Sequence, residues 1–126
     1  MNASPALANA LRAFASVERQ IVALSDHRDI TDPGELVRLR RQLVDEFAAI
    51  SAALEREPAL RADPDRMAQA TRLLSAFRTQ NAINQAEWPA IRARDDTENY
   101  RRASRRVSEQ SQIFWQWVDR ELGIIP

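Results

Sequence analysis

The chain has no cysteine and no lysine, and only two of its 126 residues are glycine. Without cysteine there can be no disulfide, thiolate nucleophile or zinc–thiolate site. Without lysine there can be no Schiff base and no phosphate-loop lysine. All 18 basic residues are arginine, an excess that coding bias in a GC-rich genome explains more simply than chemistry does. The glycines are too few for a phosphate-cradling loop. Aromatic residues are scarce at 6%, and with few β-branched residues this argues against sheet. Excess charge is also missing, since 18 acidic residues balance the arginines and the pI is near 6.6. No global field would recruit nucleic acid or an anionic membrane, and neither is expected as a partner. No apolar run approaches the roughly 20 residues needed to cross a bilayer. The opening "MNASPALANALRAFASVERQ" has no basic segment followed by an unbroken apolar one, so a signal peptide is not expected and a cytoplasmic location is.

What remains is 44% hydrophobic and 29% charged, the composition of one folded domain. Helix starts are well marked. Ser4-Pro5 places a capping hydroxyl before a first-turn proline. Asp32-Pro33-Gly34-Glu35 reads as N-cap, first-turn proline and capping-box glutamate. Asp63-Pro64-Asp65 repeats the device, and Asp95-Asp96-Thr97-Glu98 is a fourth candidate.

Between these signals apolar residues recur at steps of three and four. The first helix carries Leu7, Leu11, Phe14, Val17, Ile21 and Leu24. The second carries Leu36, Leu39, Leu43, Phe47, Ile50 and Leu54, with Val37 and Val44 expected to widen the stripe toward a second neighbour. Pro58 closes it and Leu60 plugs the loop. A third stripe holds Met67, Ala70, Leu74 and Phe77, and a last one Tyr100, Val107, Phe114, Val118 and Leu122, ending at a left-handed Gly123 cap. The spacing predicts an all-α, up-down-up-down bundle of four long helices, about 5–27, 33–56, 64–93 with a kink near Pro89, and 96–122. A three-helix bundle with a detached C-terminal helix is the alternative.

One seam is interrupted. At about 100° per residue, Ala70, Leu74, Phe77, Asn81, Asn84 and Trp88 share a face, so two carboxamides fall where leucines belong, while Ile83 points away. An amide sealed in a core without partners costs about 1–3 kcal/mol. Three readings follow: a satisfied buried pair that fixes register, a bundle that splays near Trp88, or a groove that receives a partner helix.

An apolar residue followed by N-x-x-N late in a third long helix, here Phe77, Asn81, Ala82, Ile83 and Asn84, resembles the flagellar type III export chaperones for hook-associated proteins, which are small bacterial helical bundles. The charged second helix "ELVRLRRQLVDEFAAISAALERE" is similar to that family as well, and the likeness spans roughly Leu7 to Arg94. It implies a chaperone or adaptor that binds a helical end of an export substrate, with Phe77, Asn81, Asn84 and Trp88 contributing to the groove.

The last helix adds two features. Arg101, Arg102, Arg105 and Arg106 occupy an arc of about 140° opposite the apolar stripe, either a solvated face paired with Asp95, Glu98 and Glu109 or a face for an anion or acidic partner. Ile113 and Trp117 flank the stripe and have the composition of an interface anchor, for a client or a homodimer, although a core helix wedged between two neighbours needs the same width. His27, the only histidine, falls at a helix end, where it complements the dipole rather than standing exposed in mid-helix as a phosphotransfer residue would. One histidine cannot supply two Glu-x-x-His motifs, and the adjacent acids Asp45-Glu46 and Asp95-Asp96 diverge on a helix. No catalytic residue, metal or cofactor is expected. The partner is expected to be a protein helix or a second copy.

Overall fold

The computed structural model describes residues 3–26 and 30–125. Among them the structure is helical throughout with no strand. The helices are α1 (Pro5–Asp26), α2 (Pro33–Arg56), α3 (Pro58–Arg61), α4 (Pro64–Glu87), α5 (Ala90–Asp95), α6 (Thr97–Ala103) and α7 (Arg105–Leu122). None is long and apolar enough to cross a membrane, and no group of three or more metal-ligating side chains occurs among the described residues.

The caps follow the local chemistry. Asp32 accepts from the Gly34 amide at 2.9 Å and Asp63 from that of Arg66 at 3.3 Å, each satisfying a first-turn donor beside its proline. The expected capping box is absent, because Glu35 turns outward to Arg38 at 2.6 Å instead of back toward Asp32. Gly123 takes φ 67°, a left-handed conformation that costs a residue without Cβ little, and lets the buried Ile124 fold onto the final turn.

Two predicted helices are divided. Pro89 ends the third instead of kinking it: Trp88 leaves the helical region (φ −125°, ψ 73°) and Pro89 itself is extended (ψ 152°). Proline crowds its predecessor out of the α conformation, and its missing N–H breaks the ladder. The last helix starts at Thr97 and bends at Ser104, whose ψ of −9° tightens the turn while the bonds Ser104 N→Tyr100 O and Ser108 N→Ser104 O carry through. Asp96 stands at the N-cap without capping, its carboxylate accepting from the Asn99 side chain at 2.9 Å.

Helix α1 packs on α2, α2 on α4, and α4 on α7, so the C-terminal helix is part of the bundle and not detached. Side-chain pairs set the directions. Ser4, at the start of α1, meets Glu57 beyond the end of α2, and Arg66, at the start of α4, meets Glu121 at the end of α7. Both pairs of helices therefore run antiparallel.

At mid-height Phe14, Phe47 and Phe77 meet edge to face, with centroids 4.7–5.5 Å apart, and Phe114 sits against Phe77 at 6.0 Å. Such pairs contribute about 0.5–1.5 kcal/mol each beyond their burial. Leu60 is fully enclosed by the short α3, as its loop-plugging role requires. Val37 and Val44 differ from expectation. They are 39% and 46% exposed, so the α2 stripe is narrower than its sequence suggests.

Candidate functional site

Each helix stripe carries a polar residue at an apolar register position. On α1, Phe14, Glu18, Ile21 and Ser25 follow at steps of four, three and four. On α2, Arg40 stands four after Leu36 and three before Leu43. On α4 the interruptions are Asn81 and Asn84, and on α7 Ser111 lies between Val107 and Phe114. Among the described residues five polar or charged side chains are buried: Ser25, Arg40, Glu57, Asn84 and Ser111. Three of them, Ser25, Asn84 and Ser111, line one groove, and a fourth, Arg40, touches its wall.

That groove has a volume of about 1020 Å³ and lies between the C-terminal half of α1 and the α6–α7 segment. Phe77, Asn81, Asn84 and Leu43 form its floor; Ile21, Val22 and Val107 line its sides. It lies where α1 and α7, the two outer members of the α1–α2–α4–α7 series, approach each other less closely along their backbones than the other neighbours do. Their seam is spanned by Phe14 against Trp115, with ring centroids 6.2 Å apart, and by a small polar bridge. Ser111 Oγ donates to Glu18 at 2.5 Å and the Trp115 indole N–H donates to the other carboxylate oxygen at 3.0 Å. Burial pushes the Glu18 carboxyl above its ordinary pKa, and the two hydrogen bonds and nearby Arg19 offset only part of that rise.

The amides differ from each other. Asn84 is 9% exposed, and its side-chain N–H donates to Ser104 Oγ at 3.4 Å, a long bond to the bend between α6 and α7. Asn81 is half-buried and faces the groove. Ile83 is exposed on the opposite side, as its spacing requires. Trp88 is outside the groove lining: its ring is buried against Tyr100 at 5.8 Å, with the Arg92 guanidinium 3.9 Å above it. Arg40 donates to the Tyr100 hydroxyl at 3.4 Å and closes this second cluster from below.

Among the arginines, Arg101, Arg102 and Arg105 line the groove wall while Arg106 does not. Arg102 pairs with Glu98 at 3.3 Å. Arg101 and Arg105 make no ion pair among the described residues, and Asp95 is bonded to Arg94 instead. Trp117 is core, 3% exposed and donating to Gln69 at 3.0 Å, whereas Ile113 is 45% exposed beside it. A Trp117→Arg substitution would therefore disrupt packing before it reported on association. His27 lies outside the described residues.

The structure thus gathers Phe77, Asn81, Asn84, Arg101, Arg102 and Arg105 into one place and leaves Trp88, Ile113, Trp117 and Arg106 elsewhere. Glu18, Ser111 and Trp115 were missed by reading the sequence, although Glu18 and Ser111 carry the same register signal as the asparagines. Comparison with protein-family models, with curated proteins and with solved structures finds no match for this chain.

Proposed function

We propose that the protein is a non-catalytic interaction module whose groove between α1 and α6–α7 receives an amphipathic helix of a client protein. The observation that carries this reading is the convergence of the polar stripe positions of α1, α4 and α7 on a single open groove that Phe77, Leu43, Ile21 and Val107 also line. Polar residues scattered through a sealed core would each be expected to find a partner deep inside. Here Asn81 faces open space, and Asn84 has one long bond. A helix laid in such a groove gains affinity from anchored apolar side chains and orientation from the amides. An export chaperone of the flagellar type is the narrower version, and it rests on the resemblance carried by the Asn81–Asn84 spacing and the charged second helix.

The test uses a synthetic amphipathic helical peptide with leucines at three- and four-residue spacing, titrated by fluorescence anisotropy. Asn81→Leu combined with Asn84→Leu should lower its affinity at least ten-fold while leaving the melting temperature unchanged or higher. A variant that unfolds would instead make the amides structural. The competing reading, a self-associating structural bundle, draws on the exposed Val37 and Val44 seven residues apart on α2. A dimer by light scattering that Val37→Glu and Val44→Glu dissolve would favour it.

A further inference from the structure

The ionisable residues of the groove are unbalanced. Four arginines line it (Arg19, Arg101, Arg102 and Arg105) against two acids, Glu18 and Glu98, a local formal charge of 4 − 2 = +2 on a chain whose formal net charge is zero. Both acids are engaged already. Glu18 is turned onto Ser111 and Trp115, with Arg19 close enough to influence it, and Glu98 is bonded to Arg102. Arg101 and Arg105 remain exposed, with no ion pair among the described residues.

These two are four apart, across the bend at Ser104, so their side chains rise from one helical face about 6 Å apart along the axis. Like charges at this spacing repel, and neither guanidinium is held in an ion pair among the described residues. Guanidinium groups bind carboxylates in a paired, two-point geometry. Below them the wall from Glu98 to Gln112 extends about 21 Å at 1.5 Å per residue, room for roughly 14 residues of a second helix.

We infer that the groove selects an acidic amphipathic helix, its apolar stripe on Val22 and Val107 and its carboxylates on Arg101 and Arg105. This rests on the groove being an interaction site at all. Nucleic acid fits less well, because aliphatic side chains and two acids share the lining and the chain has no net positive charge.

Three synthetic helical peptides of one leucine pattern separate the possibilities, with glutamate, glutamine or lysine beside the stripe. The glutamate peptide should bind at least ten-fold more tightly than the glutamine one at low salt, with the lysine peptide weakest and the difference shrinking as salt rises. Arg101→Glu with Arg105→Glu, both at exposed positions, should reverse the order and favour the lysine peptide. That gain of binding cannot come from misfolding. Equal binding of all three peptides would overturn the acidic preference and leave the groove reading intact. No binding by any, with Asn81→Leu/Asn84→Leu indistinguishable from wild type, would remove both. A single-stranded oligonucleotide bound more tightly than the glutamate peptide, or a dimer dissolved by the charge-reversed pair, would also overturn the proposal.

Discussion

The two ends of this bundle are built differently. At the closed end, where α1 begins and α2 finishes, polar side chains tie the helix ends together. Glu57 is 2% exposed and accepts from both the Ser4 amide and hydroxyl at 2.6–3.2 Å, which ties the first turn of α1 to the close of α2. Arg66 donates to the Glu121 carbonyl, and Trp117 to Gln69. At the other end the helices are shorter, Pro89 and Ser104 break them, and polar groups replace the stripe residues. The groove opens at that end. The contrast teaches that this chain places its stability and its exposed chemistry at opposite ends: uninterrupted stripes allow four helices to close on one another, and interrupted ones hold two of them apart.

The sharpest way to break this division is Phe77→Ala. Phe77 joins Phe14, Phe47 and Phe114 and also floors the groove, so the change should cost about 3–5 kcal/mol in urea denaturation and damage both ends together. Next is Glu57→Ala, which strands two half-buried Ser4 donors and should cost about 1–3 kcal/mol. It should leave affinity for the helical peptides unchanged, because it acts only at the closed end. At the open end Arg92→Ala removes a cation–π contact on Trp88 and should cost only about 0.5–1 kcal/mol, measured the same way.

The smallest effect expected is Glu18→Gln, and it depends on pH. Burial raises the Glu18 pKa above its ordinary 4.5, so the folded chain holds that proton more tightly than the unfolded one. The carboxyl therefore favours the fold most below pH 4.5, and that contribution is lost as pH rises through the raised value. Glutamine can still accept from Trp115 and donate to Ser111 without a charge. Glu18→Gln should then melt slightly higher than wild type at pH 7, with the gap closing as the pH falls toward 4. A constant gap across that range would show that burial of the charge is not what distinguishes Glu18.

The all-helical class, the cap at Gly123 and the enclosed Leu60 were legible because local spacing and turn chemistry determine them. The breaks at Trp88–Pro89 and Ser104 were harder to place. Proline signals an interruption without saying whether the chain bends or restarts, and Ser104 tightens by dihedral angle while keeping its hydrogen bonds. Asn81 and Asn84 could be flagged because amides contrast with their neighbours on one stripe. Glu18, Arg40 and Ser111 occupy equivalent register positions, yet long or small polar side chains at a stripe edge normally reach solvent, so only tertiary placement reveals that they turn inward. Trp117 shows the converse: an edge tryptophan beside an isoleucine has the look of an anchor, but Gln69 on α4 satisfies its indole inside the chain.

The bridge between Trp115 and Glu18 gives the molecule a built-in optical gauge. Two of its three indoles are shielded, Trp88 under Arg92 and Trp117 in the core, whereas Trp115 is half-buried at the seam and bonded to a titrating acid. Anything that parts or tightens the seam changes the surroundings of that one chromophore, so with Trp88 and Trp117 exchanged for phenylalanine its emission would follow occupancy without an attached dye.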